Sequence, residues 1–401
     1  MRLPCSLFFF ICSPANLLLP LQSQTNNNHH TMNIRVGIMT APHIDYELRD
    51  NTFLLKNVRI GIGFHWDRTE DQLFEGQLQI RQNPDGTETA INILDVEDYL
   101  TSVITSEMSA TSSLELLKAH AVISRSWVLR PILNPAQPTI QPTDTDPNRH
   151  ITWYERDAHI GFDVCADDHC QRYEGITRRD QHPEAAQRVR QAIDATRGQV
   201  LTYDGQVCDT RFYKSCGGRT ELFENAWAPI HYRYLESVEC PYCNTHDKAI
   251  LAQVLNDYDL ETQDFYRWQV QYTRQELSDI IRERSGIDFG EITALHPIKR
   301  GPSYRIYELE IVGTKRTMVI GKELEIRKWL SRSHLYSSAF DITCTPADQR
   351  SQDLFTLHGR GWGHGVGLCQ IGAAVMAQQG FDYQQILSHY FPHSQLHTLN
   401  N

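Results

Sequence analysis

Between Asp95 and Arg130 an apolar stripe at helical spacing ends on a carboxylate, and this limits both fold and chemistry. Val96, Leu100, Val103 and Glu107 advance by four, three and four residues, with Tyr99, Ile104 and Met108 beside them. That rhythm predicts a helix with Glu107 at the end of its buried side. A carboxylate there is costly unless something uses it. Burial favours the protonated form of a carboxyl, which suits a general acid.

A break at Ser109–Ser113 follows. Ser112 with Glu115 three residues on reads as a capping box for a second helix. Leu114, Leu117, Ala121 and Val128 give that helix its buried side, and Lys118 and Arg125, seven apart, share another face. The pair of helices therefore offers two readings. Glu107 is an acid beside a cationic surface that holds a polar polymer, or it is tied up in an ion pair with Lys118 or Arg125.

Elsewhere the chain mixes hairpins with helices. Residues 33–92 read as short strands with a turn at Asn83-Pro84-Asp85-Gly86, a small N-terminal β region. A hairpin turns at Asp204-Gly205 and another at Gly313, whereas residues 183–197, 274–285 and 324–330 read as helices. Five prolines within residues 131–150 mark a loop. The predicted class is α+β, without the alternation of a parallel βαβ fold. At 401 residues the chain can bury a sizeable core, and its net charge of −11 argues against a nucleic-acid partner.

The first 31 residues have two readings. The apolar run from Leu7 to Leu21 fits a secretory signal or anchor, although Pro14 and Pro20 interrupt it and Arg2 is its one cation. Alternatively, translation begins at Met32. The location is the cell envelope on the first reading and the cytoplasm on the second.

His159, Cys165, His169 and Cys170 offer two imidazoles and two thiolates in one short stretch, a set that suits tetrahedral zinc. A Cys165–Cys170 disulfide is the alternative. Cys208, Cys216, Cys240 and Cys243 pose the same choice between a second metal site and two disulfides. Cys344 and Cys369 are expected to be unpaired and buried. Glycines at 359, 361, 363, 365 and 367 alternate with Trp362 and His364. This is neither a phosphate loop nor a dinucleotide fingerprint, and it lets backbone approach closely. Trp362 either packs in the core or stacks on a sugar.

Three blocks carry a family resemblance. SEM, LLKAHAV and SRSW occur in order within residues 106–127, FYKSCGGRTELFENAW fills 212–227, and HGRGWGHGVGLCQIGAAVMAQQGFDYQQILSHYFP fills 358–392. Together they resemble the stage II sporulation protein D (SpoIID) and amidase-enhancer family. The resemblance covers residues 94–392, with a divergent insertion near 244–290. It implies a lytic transglycosylase that cuts the β-1,4 bond between N-acetylmuramic acid and N-acetylglucosamine in peptide-stripped peptidoglycan strands. The product is a 1,6-anhydro end.

Such chemistry needs one carboxyl, because the C6 hydroxyl of the substrate replaces the water that a two-carboxylate hydrolase activates. Glu107 is then the general acid and base. Lys118, Arg125, Ser215, His364 and Gln370 are expected to bind or orient substrate. The resemblance also implies a structural zinc on His159, Cys165, His169 and Cys170. Three alternatives remain open. One is a non-catalytic wall-binding protein that enhances a partner amidase. Another is a zinc hydrolase with an open metal position. The third is a two-carboxylate hydrolase using Glu97 or Asp98.

Overall fold

The computed structural model describes residues 32–62, 67–109, 112–134, 146–154, 159–167, 169–177, 179, 183–255, 265–346 and 353–399, together with the backbone of Leu17–Leu18. The expectations for residues 1–31 lie outside the described side chains. Among the described residues no helix is long and apolar enough to cross a membrane.

The helical pair is present. Helix α1 spans Val96–Glu107, and Asp95 caps it by accepting the Glu97 N–H at 2.9 Å. Val96, Tyr99, Leu100, Val103 and Ile104 are buried as the stripe requires. Helix α2 spans Leu114–Leu133 and is buried almost all round from Leu116 to Leu129. It runs through the core, so its polar residues must find partners inside the protein. Its cap is Ser113, whose Oγ accepts the Leu116 N–H at 3.4 Å. The expected cap, Ser112, instead donates to the carbonyls of Ser109 and Gln253 at 2.5 and 2.6 Å. Ser112 thereby fastens the α1–α2 break to a distant segment.

The N-terminal strands do not form a separate unit. Their apolar residues, among them Ile34, Val36, Phe53 and Phe74, join α1 and α2 in one core that also takes in Val200, Leu368 and Phe391. Strands Gln77–Gln82, Glu88–Asp95 and Asn33–Ala41 are neighbours in an antiparallel sheet. Val164–Cys165 adds in parallel at its edge, pairing with Val36 and Gly37. That pairing anchors the His/Cys segment on the sheet.

A second core runs from Trp268 to Leu357. It is enclosed by the sheet Ile292–Arg300, Ile306–Gly313, Thr317–Gly321 and Arg149–Ile151, and by the sheet Arg267–Thr273, Leu354–Arg360 and Phe340–Thr345. Helices Arg274–Ser285 and Glu323–Trp329 complete it. The divergent segment expected near 244–290 is thus divided: Ile250, Val254, Leu255 and Phe265 belong to the first core, and the residues from Trp268 on begin a longer module. The fully buried Arg305 ties this module to the first core. Its guanidinium donates to the carbonyls of Gly363 at 2.9 Å and Cys216 at 3.2 Å, and to Ser303 Oγ at 3.0 Å.

The two distant resemblance blocks meet in a short parallel pairing, Phe212–Tyr213 with Leu368–Cys369. Ser215 and Trp362 then exchange backbone hydrogen bonds at 3.1 and 2.8 Å. Close backbone contact is why glycine is needed at 361. Gly361 has φ +71°, and a Cβ there would lie 2.7 Å from Ser215 O and 2.8 Å from Cys216 C.

Candidate functional site

Glu107 is the last residue of α1 and is 8 % exposed. Its Oε1 accepts the backbone N–H of Arg172 at 3.0 Å. The end of α1 is also held from the other side. Lys214 Nζ donates to Glu107 O at 3.3 Å and to Val254 O at 2.8 Å. A lysine at this position meets both the orphan carbonyls and the negative end of the helix dipole. Three segments therefore converge on Glu107: the loop that carries Arg172, the strand end that carries Lys214, and helix Lys248–Val254.

Neither Lys118 nor Arg125 is the partner of Glu107. Arg125 is fully buried, and its Nε and Nη2 reach Glu97 Oε1 and Oε2 at 2.9 and 2.5 Å. This corrects the expectation for Arg125, which is committed inside the core and not to a cleft, and Glu97 is buried with it. Lys118 pairs with Glu115 at 2.7 Å and lies over the Tyr383 ring. It stays partly exposed.

Glu97 and Asp98 also sit too far along α1 to act with Glu107. Nine or ten helical residues at 1.5 Å rise correspond to about 13–15 Å, beyond the ~5–9.5 Å between paired glycosidase carboxyls.

His364 is held by backbone on both ring nitrogens. Nε2 lies 3.0 Å from Phe212 O, and Nδ1 accepts the Val366 N–H at 3.1 Å. This arrangement requires a neutral ring with its proton on Nε2. Burial, followed by the charge of Arg211, pushes its pKa well below the ordinary histidine value. Edge-on packing against Tyr213 and Trp227 completes its surroundings. The ring thus organises the glycine run and has no free nitrogen for Glu107.

Gln370 is buried, with Nε2 3.3 Å from His120 Nε2, and His120 Nδ1 lies 3.1 Å from Ser124 Oγ. Both it and Ser215 lie inside the fold and not at an open surface. Trp362 stacks on Phe265 with centroids 4.8 Å apart, which is the packing reading of that residue.

His159, Cys165, His169 and Cys170 converge, with one ligand atom from each inside a 4.8 Å cluster. His159 Nε2 lies 3.0 Å from Cys170 Sγ, and His169 Nδ1 lies 3.6 and 4.0 Å from the sulfurs of Cys170 and Cys165. Cys165 and Cys170 are not joined in a disulfide. Donors about 2.0–2.3 Å from a tetrahedral ion are spaced by roughly 3.3–3.8 Å, so the set fits a shared metal ion.

The cluster lies two residues before Arg172, whose N–H holds Glu107. The intervening segment is clamped. Gln171 accepts from Tyr99 Oη at 3.3 Å, and Tyr173 Oη donates to Asn92 Oδ1 at 2.5 Å.

A cavity of about 340 Å³ opens beside this loop, lined by His159, His169, Arg172, Tyr173 and strand residues from Gly37 to Thr40. A second, of about 250 Å³, is lined by Thr245, His246, Leu251, Tyr266 and Arg267. Glu107 lines neither. The loop holding its carboxylate borders the first, and the helix tied to its carbonyl borders the second.

The sequence reading missed Lys214 and Arg172. Lys214 stands in the FYKS phrase next to Ser215, so a signal was present. Arg172 acts through its backbone, which no residue type announces. The cysteine reading also changes. Cys369 takes the place expected for Cys208 beside Cys216, Cys240 and Cys243, and Cys344 is exposed rather than buried.

Comparison with known proteins agrees with this layout. The stage II sporulation protein family matches residues 84–203, which include α1, α2 and the His/Cys loop. A domain of unknown function, DUF8618, matches residues 221–367. An uncharacterized protein of Brachyspira hyodysenteriae is 27 % identical over 313 residues, 76 % of this chain and 67 % of that protein. Stage II sporulation protein D of Bacillus subtilis is 24 % identical over 309 residues, covering 77 % of this chain and 76 % of that protein. The amidase enhancer of Bacillus subtilis is 24 % identical over 324 residues, 73 % of this chain but 39 % of that longer protein. With its α+β architecture and these matches, the chain carries a stage II sporulation protein domain at residues 84–203 and is similar over about three quarters of its length to stage II sporulation protein D and the amidase enhancer.

Proposed function

We propose that this protein is a peptidoglycan lytic transglycosylase with Glu107 as its single general acid and base. The observation that carries the reading is the position of Glu107. One buried carboxyl is held by the Arg172 N–H, while the nearest acidic residues of its own helix are out of reach or already paired. In the reaction, Glu107 gives its proton to the glycosidic oxygen between N-acetylmuramic acid and N-acetylglucosamine. The C1–O bond breaks. The C6 hydroxyl of the muramic acid then attacks C1 and returns its proton to Glu107, leaving a 1,6-anhydro end with no water consumed. The Arg172 N–H orients the carboxyl, and Lys214 fixes the end of the helix that carries it. Such a substrate places the protein in the cell envelope.

The donor set His159, Cys165, His169 and Cys170 suits zinc. Four protein ligands make a closed site, whose chemistry is to hold the loop so that Arg172 N–H meets Glu107. That closed set weighs against a zinc hydrolase.

A second reading has its own support. Glu107 is nearly enclosed and lines neither cavity, and one relative is named amidase enhancer. A protein that binds wall strands and stimulates an amidase would keep the fold without using the acid.

One experiment separates the two. Peptide-stripped glycan strands are incubated with the parent and with Glu107→Gln, and the ends are read by mass spectrometry. Anhydro ends from the parent alone support the lytic reading. Reducing ends point to hydrolysis. No cleavage by a folded parent, with amidase stimulation kept in Glu107→Gln, supports the enhancer.

A further inference from the structure

Four cysteines from three separate segments meet in the core. Cys216 follows the strand Phe212–Tyr213, Cys240 precedes and Cys243 ends the turn Pro241–Cys243, and Cys369 caps helix Gln370–Gln378. All are 0–1 % exposed, and their four sulfurs lie within 4.8 Å of one another. None is in a disulfide. The Cys216 and Cys243 sulfurs are 3.3 Å apart, well beyond the ~2.05 Å of an S–S bond. Four thiolates about 2.3 Å from a tetrahedral ion would be spaced by roughly 3.8 Å.

The surroundings are those of bound thiolates. Cys216 N–H and Gly372 N–H both point at Cys369 Sγ at 3.4 Å, and Gly218 N–H points at Cys216 Sγ at 3.4 Å. Tyr390 Oη lies 3.2 Å from Cys240 Sγ. Neutral thiols are weak acceptors and would not need several donors, whereas metal-bound thiolates carry charge that such donors offset. The absence of a side chain at 372 makes the approach feasible, because a Cβ there would lie 2.7 Å from Cys240 Sγ.

We propose that Cys216, Cys240, Cys243 and Cys369 form a second metal site, a buried tetrahedral zinc distinct from the His/Cys cluster. The ligand set is closed, so the metal is structural. It fastens the segment before Gly217 and the helix after the glycine run to the 240–243 turn. Two residues upstream of Cys216 stands Lys214, which holds the end of α1. The site therefore anchors the floor on which Glu107 rests.

The test is zinc content of the full chain, purified with reductant and washed with a mild chelator, by elemental mass spectrometry. The Cys240→Ser/Cys243→Ser variant is expected to hold one zinc fewer per chain than the parent. Cys208→Ser, which alters a buried thiol outside the cluster, is expected to match the parent. Should the first variant not fold, Cys165→Ser/Cys170→Ser serves instead. It is expected to keep one metal and, after cobalt exchange, to give the charge-transfer absorption of four cobalt–thiolate bonds. Unchanged zinc in folded Cys240→Ser/Cys243→Ser overturns the site. So does a Cys165→Ser/Cys170→Ser protein without metal, or a parent whose four thiols resist alkylation until reduced.

Discussion

Arg125 and Glu97 lie 28 positions apart and form a two-pronged ion pair that locks α2 to α1 inside the core. The Gly198 N–H also donates to Glu97 at 3.2 Å, and Arg125 reaches Gln199 O at 3.0 Å. Removing one partner leaves a buried charge without its counterpart. Arg125→Met or Glu97→Leu is expected to cost about 3–5 kcal/mol, and the double variant Glu97→Leu/Arg125→Met clearly less than the sum. Urea denaturation of the three variants checks this, and additive losses would contradict it.

Glu107→Gln is expected to lower formation of anhydro ends by roughly 10²–10⁴-fold, the usual worth of a positioned general acid. Gln keeps an oxygen for the Arg172 N–H, so the melting temperature should move little. A parent-like rate from this variant would remove Glu107 from the chemistry.

Acid sensitivity follows from His120. Burial, then the charge of Lys214, lowers its pKa from 6.5 to about 3. Between those values the unfolded chain takes up a proton that the folded protein refuses. The stability tied to His120 is therefore complete above pH 6.5 and is lost as the pH falls towards about 3. His120→Gln is expected to cost about 1–2 kcal/mol at neutral pH through its altered hydrogen bonds. It should also flatten the slope of stability against pH in that window. His364, also lowered, leaves part of the slope in place. Denaturation midpoints measured on both sides of the window give the slope directly.

Gly361→Ala combines a left-handed backbone with a Cβ forced against the backbone of Ser215 and Cys216. Backbone cannot swing aside as a flexible side chain does. A loss of at least about 2 kcal/mol is expected, larger than for Gly86→Ala, where a Cβ meets nothing within 4 Å. Equal losses at the two positions would refute the contact argument.

Removal of the metal proposed for the His/Cys loop should act locally. His169 is exposed, and the other three proposed ligands are half-buried. A strong chelator is expected to make residues 159–173 sensitive to limited proteolysis and to abolish wall-strand cleavage. The far-ultraviolet circular dichroism of the large core should be retained. Global unfolding on chelation, with the metal at Cys216, Cys240, Cys243 and Cys369 retained, would mean that the His/Cys metal supports far more than its loop.

Much of the architecture was legible along the chain because it is local. The spacing of Val96, Leu100, Val103 and Glu107 specifies a helix and its buried side, since periodicity depends only on neighbours within two turns. Asp204-Gly205 marked its hairpin for the same reason: two successive left-handed residues, φ 48° and 74°, need those residue types. The convergence of His159, Cys165, His169 and Cys170 was legible because the four side chains fall within one short stretch.

What the tertiary structure decided is which distant groups meet. Arg125 on α2 looked like a surface cation until the fold carried α2 through the core and brought Glu97 to it. Cys369 looked solitary until the parallel pairing of Phe212–Tyr213 with Leu368–Cys369 set it beside Cys216. The N–H that holds Glu107 belongs to Arg172 by position, not by side chain. Pairings of this kind are selected by burial, where an unpaired charge or donor costs too much to persist. Which partners burial brings together is a property of the packed chain as a whole and leaves no local trace in the sequence.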